Sequence, residues 1–267
     1  MTVETDSAGT PVKVTDTLSR LSYQVIVVLP VYNEEENIGR LLDRIDEHLS
    51  ESLLPYQIVG VDDGSKDRSL AILEEYSRKL PVQIYRHPVN QGLGATIRDG
   101  LAYATKIAGE KDIIVTMDAD DTHTPGLVPR MVRMIREGHD VVIASRFERG
   151  GMVCGLTVHR RLVSWLACWL MRVMFPTRGI RDYTCGYRAY RSEVLRAAYA
   201  RYGDQFVDQQ GFQCMVDILL KLRRMSLIFG EVPMILRYDF KKGASKMRVF
   251  RTAYNTLRIL MLRRMGK

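Results

Sequence analysis

Cysteine is scarce: four residues in 267, Cys154, Cys168, Cys185 and Cys214, with no two forming a C-x-x-C pair. A zinc site of the usual spacing is therefore not signalled, and a disulfide framework this thin fits a reducing cytosol better than an oxidising compartment. Cys168 lies in an apolar run and reads as a small core residue. Long apolar runs are also missing. A membrane-crossing helix needs about 20 such residues, and the nearest stretch, Leu162 to Phe175, is shorter and is broken by Arg172. Met1 to Arg20 is polar and rich in Thr, Ser and Asp, so residues 1–22 are expected to form a flexible tail rather than a secretory leader. No G-x-x-x-x-G-K-[ST] loop occurs. Gly92-Leu93-Gly94 fails as a dinucleotide fingerprint, because Ile97 stands where the third glycine belongs.

What is present is a basic, globular composition. Lys and Arg number 39 against 31 Asp and Glu, a net charge of +8. That balance favours anionic partners, among them nucleotides, lipid phosphates and nucleic acid, without choosing among them.

Strand and helix patterns alternate over the first 145 residues. Gln24 to Pro30 is an apolar, largely β-branched run of the kind that is buried on both faces of a parallel sheet. Asn33 is the expected N-cap of a helix whose apolar face is Ile38, Leu41, Leu42, Ile45 and Leu49. Further strands are expected at Tyr56 to Val61, Val82 to Arg86, Asp112 to Met117 and Val141 to Ser145. Helices are expected near 67–79, from the glycine loop to Ala104, and 127–138. This order predicts an α/β fold with a doubly wound, mostly parallel sheet, whose ligands bind beyond the carboxyl ends of the strands. After residue 146 the pattern is less regular. Gly211 to Arg224 reads as a helix, Leu227 to Leu236 as a strand, and 247–267 as a basic amphipathic helix.

The polar clusters fall where strands end. Asp118-Ala119-Asp120 follows a buried strand, where two carboxylates can hold a hard divalent cation, Mg²⁺ or Mn²⁺, together with substrate phosphates. By itself the D-x-D pair suits many surface turns; its placement favours the cation. Asp62-Asp63-Gly64-Ser65 either accepts hydrogen bonds from a base or ribose or forms an ordinary strand-ending turn. His123 is a metal ligand or phosphate contact, or else a structural histidine. The run from Lys241 to Lys246, with Lys242, Gly243 and Ser245 inside it, either closes over a diphosphate or is a solvated charge run. Arg146, Arg160 and Arg161 form a second basic group.

Taken in order, Val28-Leu29-Pro30-Val31-Tyr32-Asn33-Glu34, Val61-Asp62-Asp63-Gly64-Ser65, Met117-Asp118-Ala119-Asp120 and Ala144-Ser145-Arg146 resemble the family 2 glycosyltransferases of the GT-A fold. Asp182-Tyr183-Thr184-Cys185-Gly186-Tyr187-Arg188 and Gly243-Ala244-Ser245-Lys246 narrow the resemblance to the dolichyl- or polyprenyl-phosphate mannosyltransferases, over roughly residues 24–250. It implies a transferase domain over 23–246. Pro30, Tyr32, Glu34, Asp62 and Asp63 would hold the nucleoside. Asp118, Ala119 and Asp120 would meet the donor diphosphate, with Asp118 and Asp120 holding the metal. Lys242 and Lys246 would hold donor phosphates, and Arg146, Arg160 and Ser245 the acceptor phosphate. The donor implied is GDP-mannose, with UDP-glucose in close relatives. Two departures stand out. Asp217 occupies the place of a helical Glu, and Asp121 adds a charge directly after the D-x-D pair. The Q-x-x-R-W motif of processive synthases is absent, which points to transfer of a single sugar.

The expected chemistry is inverting transfer with Asp120, Arg146 and Asp217 as catalytic candidates. A lipid-phosphate acceptor is already anionic and needs no strong base; a hydroxyl acceptor does, and Asp217 is then the candidate. Trp165, Leu166, Trp169, Leu170, Met174 and Phe175, with the basic last helix, suit a surface bound to anionic lipid; packing of both stripes on the core is the competing reading. The expected place is the cytosolic membrane face, peripherally bound, with room for a small membrane subunit. The rivals are a soluble family 2 enzyme with a small hydroxyl or glycan acceptor, a pyrophosphorylase, whose glycine-rich N-terminal signature is missing, and a nucleic-acid binder. The last is disfavoured because strand-end acids without a metal repel phosphates.

Overall fold

The computed structural model describes residues 23–155 and 158–237, with 158–163 described by backbone alone. The expected tail 1–22, the basic run 241–246 and the last helix 247–267 lie outside the described residues. Lys242, Ser245 and Lys246 therefore do too.

Nine strands and seven α-helices follow one another among the described residues: β1 Val25–Val31, α1 Ile38–Glu51, β2 Tyr56–Asp62, α2 Ser69–Tyr76, β3 Val82–Arg86, α3 Leu93–Ile107, β4 Ile113–Thr116, α4 Val128–Arg136, β5 Val141–Ser145, β6 Met152–Cys154, α5 Val158–Met174, β7 Arg188–Arg191, α6 Ser192–Tyr202, α7 Cys214–Leu222, β8 Phe229–Pro233 and β9 Ile235–Arg237. The main sheet has the order β3-β2-β1-β4-β7-β5-β8, and β6 pairs with β9 in a small second sheet. All main-sheet neighbours are parallel except β7, which runs antiparallel to β4 and β5. The expected mostly parallel α/β sheet is what forms.

β1 is the sheet's interior: apart from Pro30 every residue is buried, as its continuous apolar run requires. Helix α1 covers it with Ile38, Leu41, Leu42, Ile45 and Leu49, all fully buried at helical spacing. The N-cap is Asn37 rather than Asn33. Asn33 takes a left-handed backbone, φ 51°, and joins the ends of β1 and β2 instead: its N–H donates to Ser65 Oγ at 3.0 Å and its Oδ1 accepts from Lys66 N–H at 2.8 Å. A turn in which Glu34 O accepts from the N–H groups of Asn37 and Ile38 delays the helix.

The second half departs further from the sequence reading. β7, Arg-Ala-Tyr-Arg, lies in the middle of the sheet with its first three residues buried, although it carries an arginine at each end and no strand is expected there from the sequence. Leu227 to Leu236 is two strands, divided at Met234. β8 forms the sheet edge beside β5, where Pro233 has no N–H to offer, and β9 turns away to pair with β6.

Candidate active site

The carboxyl ends of β1, β2 and β4 bring Tyr32 to Glu34, Asp62 to Ser65 and Asp118 to His123 to one side of the sheet. Pro30, Tyr32 and Glu34 are half-buried there. Glu34 is tied locally, its backbone N–H to Ser69 Oγ at 2.7 Å and its Oε2 to Asn37 Nδ2 at 2.9 Å.

Asp62 and Asp63 behave differently despite being neighbours. Asp62 is buried. Its Oδ1 accepts a long bond from Ser65 N–H, 3.3 Å, and its Oδ2 has no partner among the described residues. A buried acceptor left unmade is costly, so this oxygen suits an incoming N–H or O–H. Asp63 is fully engaged: Oδ1 with His87 Nδ1 at 2.7 Å and Gln91 N–H at 2.8 Å, and Oδ2 with Asn90 Nδ2 and Gly92 N–H, both at 2.9 Å. It builds the loop before α3. Of the two acids expected at a nucleoside, Asp63 is thus engaged within the protein on both oxygens. His87 continues the network to Asp99, 3.0 Å from its Nε2. Burial alone would raise the Asp99 carboxyl, but Arg98 and His87 bring it below its ordinary value. Gly64, at φ 65°, has no room for a side chain, since a Cβ would lie 2.7 Å from Asn90 N; its close approach is to this loop.

Asp118 and Asp120 are carried on the loop after β4. The Asp118 side chain is 40% exposed, and Asp120 is half-buried with Oδ1 accepting from Thr122 N–H at 3.2 Å and Thr122 Oγ1 at 2.7 Å. Ala119 between them is buried. His123 is buried, stacks on Tyr187 with ring centroids 5.0 Å apart, and accepts the Asp118 N–H at Nδ1, 3.1 Å. The structure gives His123 the role of a brace for the loop. A cavity opens beside Asp118, lined by Leu93, Ile97, Met117, Thr184, Phe212 and Met215 among others. Helix α3 reaches it because Gly94 lacks a side chain; a Cβ there would collide with Gln209 O at 2.0 Å.

Among the described residues no cluster of three or more His, Cys, Asp or Glu could hold a metal by itself. Two hard carboxylates on one loop nonetheless fit Mg²⁺ or Mn²⁺, which commonly takes one or two protein carboxylates and completes its shell with substrate phosphates.

Arg146, expected at the acceptor phosphate, is drawn inside. Its guanidinium forks onto Asp182, Nε to Oδ2 at 2.7 Å and Nη2 to Oδ1 at 2.8 Å, with Nη2 also on Thr184 Oγ1. Burial would raise the Asp182 carboxyl, yet Arg146 and the surrounding N–H groups hold it at about 2. Burial likewise works against the Arg146 charge, and Asp182 outweighs it, raising that pKa. Arg160 falls on α5, described there by backbone alone.

Asp217, the candidate base, is 1% exposed and paired with Lys221 at 2.7 Å, an i,i+4 contact within α7. Lys221 is itself buried and also holds Asp208 at 3.0 Å. The candidate base is therefore held within an internal ion pair, whereas a general base must reach the acceptor's proton. Sequence reasoning passed over Lys221, although the i,i+4 spacing was readable. It also passed over Arg188, fully buried on β7, whose Nη1 and Nη2 donate to Met215 O and Tyr183 O at 2.7 and 3.0 Å.

The chain is similar to several known proteins. The chain is 34% identical over 226 residues to a dolichol-phosphate mannosyltransferase of Pyrococcus furiosus, covering 84% of this chain and 59% of that protein. It therefore spans less than two thirds of that relative's length. It is 30% identical to an undecaprenyl-phosphate mannosyltransferase of Micrococcus luteus over 84% of this chain and 87% of that one. A polyprenol monophosphomannose synthase of Mycolicibacterium smegmatis is also 30% identical, over 85% and 82%. In fold it is similar to the glucosyl-3-phosphoglycerate synthase of Mycobacterium tuberculosis, solved with Mn²⁺, UDP and glucosyl-3-phosphoglycerate: TM-score 0.67 at 20% identity, over 93% of this chain and 82% of that one. The fold is accordingly GT-A. The glycosyl transferase family 2 profile matches residues 26–198, and the chain belongs to that family.

Proposed function

We propose that the chain transfers a single sugar, mannose from GDP-mannose, to a polyprenyl or dolichyl phosphate with inversion at the anomeric carbon. The observation that carries the choice of acceptor is the Asp217–Lys221 pair. A hydroxyl acceptor needs a base, and the first candidate for it, Asp217, is buried in an internal ion pair. A phosphate oxygen is already anionic and needs positioning instead. The names of the three relatives support the same choice.

On the donor side, Asp62 Oδ2 accepts from the base or ribose, beside Pro30, Tyr32 and Glu34. Asp118 and Asp120 hold Mg²⁺ or Mn²⁺ against the diphosphate, where the bound cation offsets the charge that builds on the leaving group. The cavity beside Asp118 takes the sugar. Arg160 and, from the segment after β9, Lys242, Ser245 and Lys246 supply the cations and donors for the phosphates. Arg146 acts through Asp182 as part of the wall.

The membrane-facing surface proposed is α5. Trp165, Leu166, Trp169 and Val173 are 50, 47, 51 and 58% exposed, and Trp165, Trp169 and Val173 recur at intervals of four. Among the described residues no helix is long and apolar enough to cross a membrane. Peripheral binding at the cytosolic face, alone or with a small membrane subunit, fits this surface.

The test supplies radiolabelled GDP-mannose and polyprenyl phosphate in detergent, with Mn²⁺ or EDTA. Metal-dependent label in the organic phase, lost in Asp120→Ala, is expected. Label confined to water-soluble products would replace this reading with the soluble-acceptor one, and organic-phase label formed only when radiolabelled UDP-glucose is supplied instead would overturn the choice of donor.

A further inference from the structure

Asp121 follows the D-x-D pair directly, and its environment is unlike that of either neighbour. It is 2% exposed, and its backbone is left-handed at φ 58°, a conformation that aspartate tolerates better than most residues. Its carboxylate reaches helix α1, where Oδ2 accepts from Arg40 Nε and Oδ1 from Arg44 Nη1, both at 2.6 Å. Arg40 and Arg44 are one helical turn apart and remain 43% and 26% exposed.

The same loop is fastened a second time, by Tyr187. Tyr187, just before β7, donates its hydroxyl to Thr124 O at 3.0 Å and stacks on His123, which in turn accepts the Asp118 N–H. The loop ends in the 3-10 turn Pro125–Leu127, which packs against α1, with Gly126 over the His48 ring. Asp118 and Asp120 thus lie on a short segment pinned at Asp121 to α1 and at His123 and Thr124 to Tyr187. Charge matters as well as rigidity. An unpaired Asp121 would place a third carboxylate next to the metal pair, and removing Asp121 would leave the positive charge of two arginines less compensated beside it.

We propose that Asp121, clamped by Arg40 and Arg44, is a positioning residue that sets the affinity of the Asp118–Asp120 pair for its divalent cation. This rests on the reading that Asp118 and Asp120 hold that cation. Residues supporting metal ligands from behind commonly alter affinity by about 10–100-fold when removed, and a change of this size is expected here.

The experiment measures Mn²⁺ binding in the presence of GDP by electron paramagnetic resonance of the free ion, alongside melting temperature and the Mn²⁺ dependence of turnover. Asp121→Asn keeps the shape and tolerates the backbone; Asp121→Gly satisfies the backbone without any clamp. Both are expected to weaken Mn²⁺ about tenfold or more, with kcat recovering at saturating Mn²⁺. The double variant Arg40→Gln, Arg44→Gln should do the same, and adding Asp121→Asn to it should bring little further loss, as for groups that act as one unit. If the variants melt lower yet bind Mn²⁺ as the parent does, the clamp is only structural and the proposal fails. If the parent protein with GDP binds no Mn²⁺, the metal-site reading fails and the proposal falls with it.

Discussion

At the ends of β2 and β4, neighbouring acids divide their duties. Asp62 keeps an oxygen without a partner among the described residues while Asp63 builds a loop, and Asp118 and Asp120 stay at the crevice while Asp121 is held by arginines. Around β7, β5 and β8 charges instead pair with each other, Arg146 with Asp182 and Asp217 with Lys221. The first region keeps carboxylate oxygens at the crevice, and the second spends its charges on internal pairs. Residue type alone does not distinguish these uses; burial and partner do.

The comparison is broken most forcefully at the buried fork. Asp182→Asn should cost about 3–5 kcal/mol of stability by leaving Arg146 buried without its partner, seen as a lower denaturation midpoint. The carboxyl is depressed to about 2 in the folded protein against 3.8 ordinarily. Its contribution is therefore present above pH 3.8 and lost as pH falls through 2, a swing of about 2 kcal/mol readable from acid titration of stability.

Asp118→Asn or Asp120→Asn should show the opposite pattern, with turnover down roughly 100-fold or more and little change in melting temperature. An equal fall in melting temperature would place these acids with the internally paired ones. Asp63→Asn should lower stability by about 1.5–3 kcal/mol through the loop it organises. Asp62→Asn should instead raise the KM for donor, about tenfold, while the fold holds. The smallest effect on catalysis is expected at Asp217→Asn: melting falls and kcat is retained. A collapse of kcat with melting unchanged would restore Asp217 as a base.

Much of the fold was legible because buried parallel strands are apolar throughout. β3 and β5 were read with their full extents, and β1 and β2 to within a residue or so at each end. β7 was not, because its sequence carries arginines at both ends and one of them, Arg188, is buried on backbone carbonyls. The site's acids were legible from their place after strands. Their partners were not, because sequence order hides contacts such as Arg40 with Asp121, 81 residues apart, or Arg146 with Asp182, 36 apart. Asn33 was misread as a cap because its side chain serves a neighbouring strand's loop instead of its own helix.

The antiparallel strand has a consequence for how the protein comes into being. Residues 25–116 can assemble β3-β2-β1-β4 as soon as they are made, but β4 then has a bare edge. Its missing neighbour arrives much later; Thr116 reaches Gly186 across 70 residues. Until then Tyr187 is not in place against His123, and the segment bearing Asp118 and Asp120 lacks one of its two fastenings. Non-local pairing of this kind is slow. During synthesis, the loop that carries Asp118 and Asp120 is therefore fully fastened only after the β1–β2 side of the crevice has already taken shape.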